Sequence, residues 1–312
     1  MKDVSQKPDS LRVARATATL HAPAHCIALL RSGDTEQGDP LKTARVAGIL
    51  AAKRTDELIP LCHPLPIHRA EVTYELGETS VRVMSEVQTI GPTGVEMEAL
   101  TAASLAALTI YDMLKPYAEP DELHIEDCRL ERKTGGKSHY RRALSAPRSA
   151  AVVVLSDTVA SGAKPDTAGA WVRDALIAAN FGPVGYAVIA DDAAVLGDLL
   201  GSLVAADTAM IITVGGTGLG PHDITVDTVR PMLDVEIPGI MEAARAFGQQ
   251  RMPFAMLSRG VAGYVRDTLV LTFPGSRGGA SESLAATLPG LIHLLETGRA
   301  GGQHPGGYGE AP

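Results

Sequence analysis

The second half of the chain alternates between short apolar runs and longer stretches with apolar residues every three to four positions. The runs 151–155, 185–189 and 209–214 end at Gly, Ser or Ala and predict strands buried on both faces. The longer stretches predict helices at about 167–180, about 192–205 and 281–296. Asp166 is a suitable N-cap for the first of these helices. This order predicts a three-layer α/β/α domain with a mainly parallel sheet.

The first half has a different pattern. Polar and apolar residues alternate in two segments on either side of Gly77, and an additional strand-like segment follows later. These patterns predict antiparallel strands near 72–76, 81–87 and 123–130. Helical periodicity predicts helices at 41–54 and 94–115, the second ended by Pro116. The first half is therefore predicted to be an α+β domain of ferredoxin-like type, an antiparallel sheet with helices on one face.

A basic segment rich in small residues separates the two patterns. We expect a first domain at 1–142, a linker at 143–150 and a second domain at 151–298. The glycine-rich end of the chain, 299–312, has little to bury and is expected to be a disordered tail.

Composition narrows the class of protein. The chain has 312 residues, with 45% apolar and 21% charged residues, and a net charge of −8 argues against a general nucleic-acid binder. Apolar runs fall short of the roughly 18 residues of a membrane helix, and the first residues lack an apolar signal core. We therefore expect a cytoplasmic protein without a membrane partner. Lys164 is the only lysine after residue 142.

The segment 211–223 joins an apolar run to a turn with four glycines and ends at Asp223. Such a turn at a strand end can hold a phosphate, although a glycine-rich turn without function is the alternative. It is neither a P-loop nor a dinucleotide fingerprint, because Pro221 and His222 replace Lys-Ser/Thr and the glycine spacing differs. Asp191 also follows a strand, as an N-cap or as a partner of Asp223 in binding Mg²⁺. A similar strand-end turn is predicted at 273–276.

The helix predicted at 94–115 carries Glu98 and Asp112 within about 40° of each other. Lys115 lies three residues after Asp112. A solvated stripe with a surface ion pair is one interpretation. The small apolar residues between the two carboxylates favour a buried helix instead, on which charges need partners. His63 is predicted as either a structural histidine or a loop acid.

Several motifs of the first half resemble the cyclic pyranopterin monophosphate synthase family. They are MKDVS at 1–5, AAKRT at 51–55, LIPLCHPL at 58–65, TGVEMEALTAA at 93–103, YDM at 111–113 and GGK at 135–137. The resemblance implies conversion of a 3′,8-cyclised dihydroguanosine triphosphate into cyclic pyranopterin monophosphate and pyrophosphate. It implies catalytic roles for Asp112 and Lys115. It implies substrate contacts for Lys53, Leu61, Cys62, His63, Met97, Glu98, Lys133 and Lys137.

One residue departs from that family's pattern. Gln37 stands where the family has an active-site lysine in a Lys-Gly-Asp motif. Glutamine carries no positive charge and transfers protons poorly, so the loss of acid–base help would reduce the rate by roughly 10²–10⁴.

The second half resembles the molybdopterin adenylyltransferase family. The motifs are SD at 156–157, GGTGLGPHDIT at 215–225, IPG at 237–239, MLSR at 256–259, AG at 262–263 and PGS at 274–276. The resemblance implies adenylylation of molybdopterin by Mg²⁺-ATP, with no other tightly bound cofactor. Asp191 and Asp223 match catalytic, Mg²⁺-binding aspartates. The matching substrate contacts are Gly215, Gly216, Thr217, Gly218 and Ser276. His222 replaces a usual arginine, and Ala190 a usual proline.

Together the two resemblances imply a bifunctional enzyme of molybdenum cofactor biosynthesis that acts on pterins and nucleotides. They also imply a homo-oligomer, a trimer or a hexamer. The alternative is a pterin-binding scaffold with an inactive first domain. A dinucleotide-dependent oxidoreductase is disfavoured by the glycine spacing.

Overall fold

The computed structural model describes residues 1–136 and 143–298. The chain folds as two compact units that divide near residue 140. Lys137 and the expected tail at 299–312 lie outside the described residues.

The first unit contains a four-stranded antiparallel sheet of order β2–β3–β1–β4. Its elements are β1 (Ser10–His21), α1 (Ala24–Ser32), α2 (Pro40–Lys53), α3 (Thr55–Leu58), β2 (Arg69–Leu76), β3 (Ser80–Gly91), α4 (Glu96–Leu114), a 3₁₀ turn (Lys115–Tyr117) and β4 (His124–Thr134). The predicted strands and helices are present with shifted ends. The central strand β1 and helix α1 were not predicted.

Helix α4 forms the centre of the first core. Its alanines pack against alternate residues of β1 and β3, such as Leu20 and Val83. Gly48 of α2 lies against the backbone of Ala102, where a side chain would be crowded. Among the described residues, Glu96–Tyr117 is the one helix that is long and apolar enough to span a membrane. In this structure it packs against the sheet in the core of the first unit.

The second unit contains a six-stranded sheet of order β6–β5–β7–β10–β9–β8. Its elements are β5 (Arg148–Leu155), α5 (Asp157–Ala160), α6 (Ala168–Ala178), β6 (Phe181–Ile189), α7 (Ala193–Ala205), β7 (Met210–Val214), α8 (Thr225–Val229), a 3₁₀ turn (Arg230–Met232), β8 (Val235–Glu236), α9 (Pro238–Gln249), a 3₁₀ turn (Pro253–Leu257), β9 (Ala262–Val265), β10 (Thr268–Phe273) and α10 (Arg277–Thr297). The first four strands of the order are parallel to one another. Strand β9 is antiparallel to β10, and β8 is antiparallel to β9.

The strand pairing confirms the mainly parallel sheet. Alternate residues of β5 point to opposite sides of this sheet, which confirms the three layers. Val152 and Val154 belong to a core with α6, α9 and α10, whereas Val153 belongs to a core with α7. Because β5 begins at Arg148, the last three residues of the expected linker belong to this strand. Leu144 is buried as well, and its N–H donates to the carbonyl of Ala179.

Candidate active sites

The glycine-rich turn follows β7, whose neighbours in the sheet are β5 and β10. Gly215 and Gly216 have φ angles of 114° and 63°, which residues with a side chain rarely adopt. A Cβ atom on Gly215 would overlap the carbonyl oxygen of Leu155, and one on Gly216 would overlap the hydroxyl of Thr225. Steric crowding and backbone conformation therefore both require glycine at the carboxyl end of the strand.

Arg259 and Asp223 hold the rest of this turn in place. The Arg259 guanidinium donates to the carbonyl oxygens of Gly218 at 2.7 Å and Asp223 at 2.8 Å. It also forms an ion pair with Asp227 at 3.0 Å. The Asp223 carboxylate accepts the N–H of Gly220 at 2.7 Å. In the sequence Arg259 was visible only as part of a motif, and its contacts show that it positions the turn.

A cavity of about 300 Å³ lies above the turn. It brings together most of the residues predicted for the second site, namely Asp191, Gly215, Gly216, Thr217, Gly218 and Asp223. The two aspartates therefore converge at one sheet edge, as their positions after parallel strands predict.

Asp191 faces a third carboxylate at this edge. The N–H of Asp191 donates to the Asp157 carboxylate at 3.0 Å, and the N–H of Asp157 donates back to Asp191 at 3.3 Å. Burial raises the pKa of Asp191, and the charges of Asp157 and Asp223 also raise it, against the opposing effects of the Asp157 N–H and of His222. The N-cap interpretation of Asp191 is wrong, because Asp192 accepts the first N–H groups of α7. The Asp191 side chain therefore does not cap α7 but lines the cavity, where one of its oxygens accepts the N–H of Asp157.

Lys164 lines the same cavity, which sequence reasoning missed. The sequence offered one indication, because Lys164 is the only lysine after residue 142. Ser156 also lines the cavity and caps α5 through its hydroxyl, which accepts the N–H of Val159. Lys164 therefore adds an ammonium group to a cavity lined by carboxylates.

Ser276 is not part of the lining of this cavity. Its hydroxyl caps α10 by accepting the N–H of Gly279 at 3.1 Å. It lines a second, more apolar cavity of about 460 Å³, next to Met241 and Phe254. Gly275, one residue earlier, does line the first cavity.

In the first unit, Glu98 is buried near the start of α4, with 4% of its surface exposed. Its Oε2 atom has no hydrogen-bond partner among the described residues. Burial raises the pKa of Glu98 to about 7, and the charges of Glu96 and Asp56 also raise it. Such a carboxyl group can take up and release a proton near neutral pH.

Other predicted substrate contacts lie around this carboxyl group. Burial raises the pKa of the Cys62 thiol, and so do the nearby charges of Glu98 and Asp56. His63 is hydrogen-bonded through Nε2 to the backbone carbonyl of Lys2 at 2.8 Å. Two apolar side chains are exposed here, Leu61 and Met97. The loop 61–63 is therefore part of the surroundings of the Glu98 carboxyl group.

Lys53, Lys115 and Lys133, the predicted lysines of the first unit that the structure describes, are exposed. The Lys133 ammonium group pairs with Glu96, in the first turn of α4, at 3.0 Å. Lys53 is the last residue of α2. The Lys133 ammonium group therefore lies at the same end of α4 as Glu98.

Asp112 and Lys115 form an ion pair at 2.6 Å at the opposite end of α4. The expectation that this pair is buried is wrong, because both side chains are more than half exposed while the neighbouring Met113 and Leu114 are buried. Fourteen residues of helix separate Asp112 from Glu98, about 21 Å along the axis. The predicted catalytic and binding residues therefore form two groups within one chain.

The turn that contains Gln37 lies at the Asp112 end. The N–H of Glu36 donates to the hydroxyl of Tyr117 at 3.0 Å, and Tyr117 follows Lys115 in the same 3₁₀ turn. Gln37 itself is exposed. The turn in which the resembling family has a lysine thus contacts the 3₁₀ turn that begins with Lys115.

Comparison with known proteins accounts for both units. The MoaC family model matches residues 1–136, and a model described as a probable molybdopterin binding domain matches residues 151–293. The molybdenum cofactor biosynthesis bifunctional protein of Chlorobaculum tepidum is 39% identical over 295 residues, which cover 95% of this chain and 93% of that protein. The chain belongs to this bifunctional family. It is thus an enzyme of molybdenum cofactor biosynthesis.

Shorter proteins match each half of this family member. The cyclic pyranopterin monophosphate synthase of Listeria monocytogenes is 50% identical over 139 residues, 44% of this chain and 86% of that protein. A molybdopterin biosynthesis protein from Mycobacterium abscessus, known from its crystal structure, is 35% identical and has a TM-score of 0.46 over 48% of this chain and 95% of that one. The alternative of a scaffold with an inactive first domain gains no support from the bifunctional protein or from the synthase.

Proposed function

We propose that the second unit transfers an adenylyl group from ATP to molybdopterin. A phosphate oxygen of the pterin attacks the α-phosphorus of ATP, and the bond to the pyrophosphate oxygen breaks. The observation that carries this proposal is the cavity above the glycine turn, where Asp191, Asp223 and Lys164 meet a turn suited to phosphate. Lys164 would offset the charge of the departing pyrophosphate.

The residues of this cavity fit a magnesium ion. Mg²⁺ is held by one or two carboxylates together with phosphate oxygens and water, so it needs no closed protein cage. Asp191 and Asp223 would be these carboxylates. Burial and, to a smaller extent, the charges of Asp157 and Asp223 raise the pKa of Asp191, and a bound cation would favour its ionised form. Bound there with ATP, the ion would neutralise phosphate charge.

Variants of the two aspartates test this proposal. Asp191→Asn and Asp223→Asn should each lower kcat for formation of adenylylated molybdopterin by about 10² or more. Asp198→Asn is the matched control, since Asp198 is exposed on α7 outside the cavity lining. If wild type forms no adenylylated product, or if all three variants equal wild type, the assignment is wrong.

For the first unit, we propose conversion of the 3′,8-cyclised dihydroguanosine triphosphate into cyclic pyranopterin monophosphate and pyrophosphate. Glu98, with a pKa of about 7, can exchange a proton with the substrate. The side chains of Lys53, Leu61, Cys62, His63, Met97 and Lys133 would contact the substrate. Asp112 and Lys115 would act on its reacting atoms.

We further propose that this first site is completed between copies of the chain. Glu98 and the exposed Asp112–Lys115 pair are about 21 Å apart along α4, too far to act on the same reacting atoms of one substrate. A homo-oligomer that places the Asp112 end of one copy beside the Glu98 end of another would unite them. The cytoplasmic location and the absence of nucleic-acid or membrane partners stay predictions.

A further inference from the structure

Two histidines and a glutamate share one face of the sheet in the first unit. His21 of β1 lies directly opposite His124 of β4 in the strand register. Glu126 is two residues after His124, so its side chain emerges on the same face. The neighbouring Leu20 points to the opposite face and is buried in the core. The backbone ladder therefore fixes the three polar side chains on the face that is turned away from the helices.

The three side chains are in direct contact. The imidazole rings of His21 and His124 stack with centroids 4.6 Å apart and an interplanar angle of 6°. His21 Nε2 lies 2.8 Å from a carboxylate oxygen of Glu126. One potential ligand atom from each residue lies within 4.8 Å of the other two. In residues 1–136 and 143–298, no other group of three such side chains is this compact.

Glu126 pairs with a histidine, whereas two neighbouring carboxylates pair with arginines. Two other carboxylates of β4 are engaged by arginines, Asp127 by Arg129 and Glu131 by Arg82. Glu126 instead pairs with His21. An ion pair between His21 and Glu126 alone would not require the second imidazole, yet the His124 ring stacks directly on that of His21.

We propose that His21, His124 and Glu126 form a binding site for one divalent transition-metal ion of the zinc class. Imidazole nitrogen and carboxylate oxygen are the ligands such ions take, at about 2.0–2.2 Å. Two ligand atoms of one tetrahedral ion at these distances lie about 3.3–3.6 Å apart, so the two imidazole rings must turn toward a common point to close the site. The carboxylate partly offsets the charge of the ion, and the exposed position leaves room for water as a further ligand.

Zinc titration of the full chain tests this site. The protein is stripped of metal with a chelator, and Zn²⁺ binding is followed by calorimetry in wild type and variants. We expect one equivalent that His124→Ala lacks. Glu126→Gln should weaken binding by at least about tenfold, the loss seen when only outer partners of a ligand are removed. His25→Ala is the matched control, because His25 is an exposed histidine of the same unit whose Nε2 contacts the carbonyl of Tyr117.

Two additional readouts separate this site from other ligands. Co²⁺ should give a visible absorption band in wild type and in His25→Ala that is absent in His124→Ala. Zn²⁺ should also raise the unfolding temperature of wild type and of His25→Ala but not of metal-free, folded His124→Ala. Equal zinc stoichiometry, affinity and stabilisation in wild type and His124→Ala would overturn the proposal and reduce the three residues to a stacked ion pair.

Discussion

At the scale of single residues, the Glu98 carboxyl group owes its chemistry to its surroundings. It is buried, and Oε2 has no hydrogen-bond partner among the described residues. The folded protein therefore favours the protonated carboxyl group, with a pKa of about 7 in place of 4.5. The same property that suits proton transfer costs stability at neutral pH.

Replacement of Glu98 by glutamine should make stability less dependent on pH. Because the folded state binds the proton more tightly than the unfolded state, Glu98 costs little stability below about pH 4.5, and this cost grows as the pH rises to about 7. Relative to wild type, Glu98→Gln should gain up to about 3 kcal/mol between pH 5 and pH 8. Denaturant unfolding at both pH values measures this gain. The exposed Glu78→Gln is the control, and an equal gain in both variants would contradict the assignment.

The turn that contains Gln37 leads to a second prediction. A lysine at position 37 would place an ammonium group near Asp112 and Lys115, so Gln37→Lys should raise kcat for the cyclised triphosphate by about tenfold or more. Pyrophosphate release measures the rate. Glu36→Gln changes the net charge of the same turn by the same amount and should have little effect. An unchanged rate in Gln37→Lys would exclude position 37 from the reaction.

The sequence predicted some site residues and missed others for identifiable reasons. Asp191 and Asp223 could be predicted to converge, because each follows a parallel strand. Lys164 could not be placed, since it lies in the loop after α5, whose path is set by tertiary contacts. We expected Asp112 to be buried because the residues around it on the helix are apolar. Adjacent residues of a helix point in different directions, however, so Asp112 is exposed beside the buried Met113.

At the scale of elements, the turn after β7 tolerates no side chain at its first glycine. Gly215→Ala would combine a strained φ with a clash against β5, and should destabilise the second unit by roughly 2–4 kcal/mol and abolish adenylyl transfer. Gly201→Ala is the contrasting variant, because Gly201 lies in α7 with open space around it. It should stabilise by about 0.5–1 kcal/mol. Chemical denaturation measures the free energy of unfolding of both variants. If Gly215→Ala is as stable as wild type, position 215 is not crowded.

The elements that went unpredicted have weak local signals. Strand β1 consists largely of alternating Ala, Arg and Thr, so its alternation is not marked by large apolar residues, although it is the central strand of its sheet. Strands β8 and β9 contain two and four residues. They gain their stability from pairing, β8 with β9 and β9 with β10. Helix α4 and strand β7 were predictable because their apolar runs are long or sharply bounded.

At the scale of the whole molecule, the proposed first site requires assembly, because its two groups of residues lie at opposite ends of α4. Glu98→Gln and Asp112→Asn should each inactivate the first reaction when all copies carry the same change. Co-assembly of the two variants in equal amounts should restore about a quarter of the sites, each built from the intact end of two copies. Asp112→Asn mixed with itself is the control. No recovery on mixing, with both single variants inactive, would place the whole site in one copy.

The central claim is that the chain carries out two separate pyrophosphate-releasing reactions. The most direct measurement is pyrophosphate release from each substrate alone, the cyclised triphosphate or molybdopterin with Mg²⁺-ATP, in wild type, Asp112→Asn and Asp223→Asn. We predict release from both substrates by wild type. Asp112→Asn should lose only the first reaction, and Asp223→Asn only the second. If wild type binds both substrates tightly but releases no pyrophosphate from either, the protein is a scaffold and the claim is wrong.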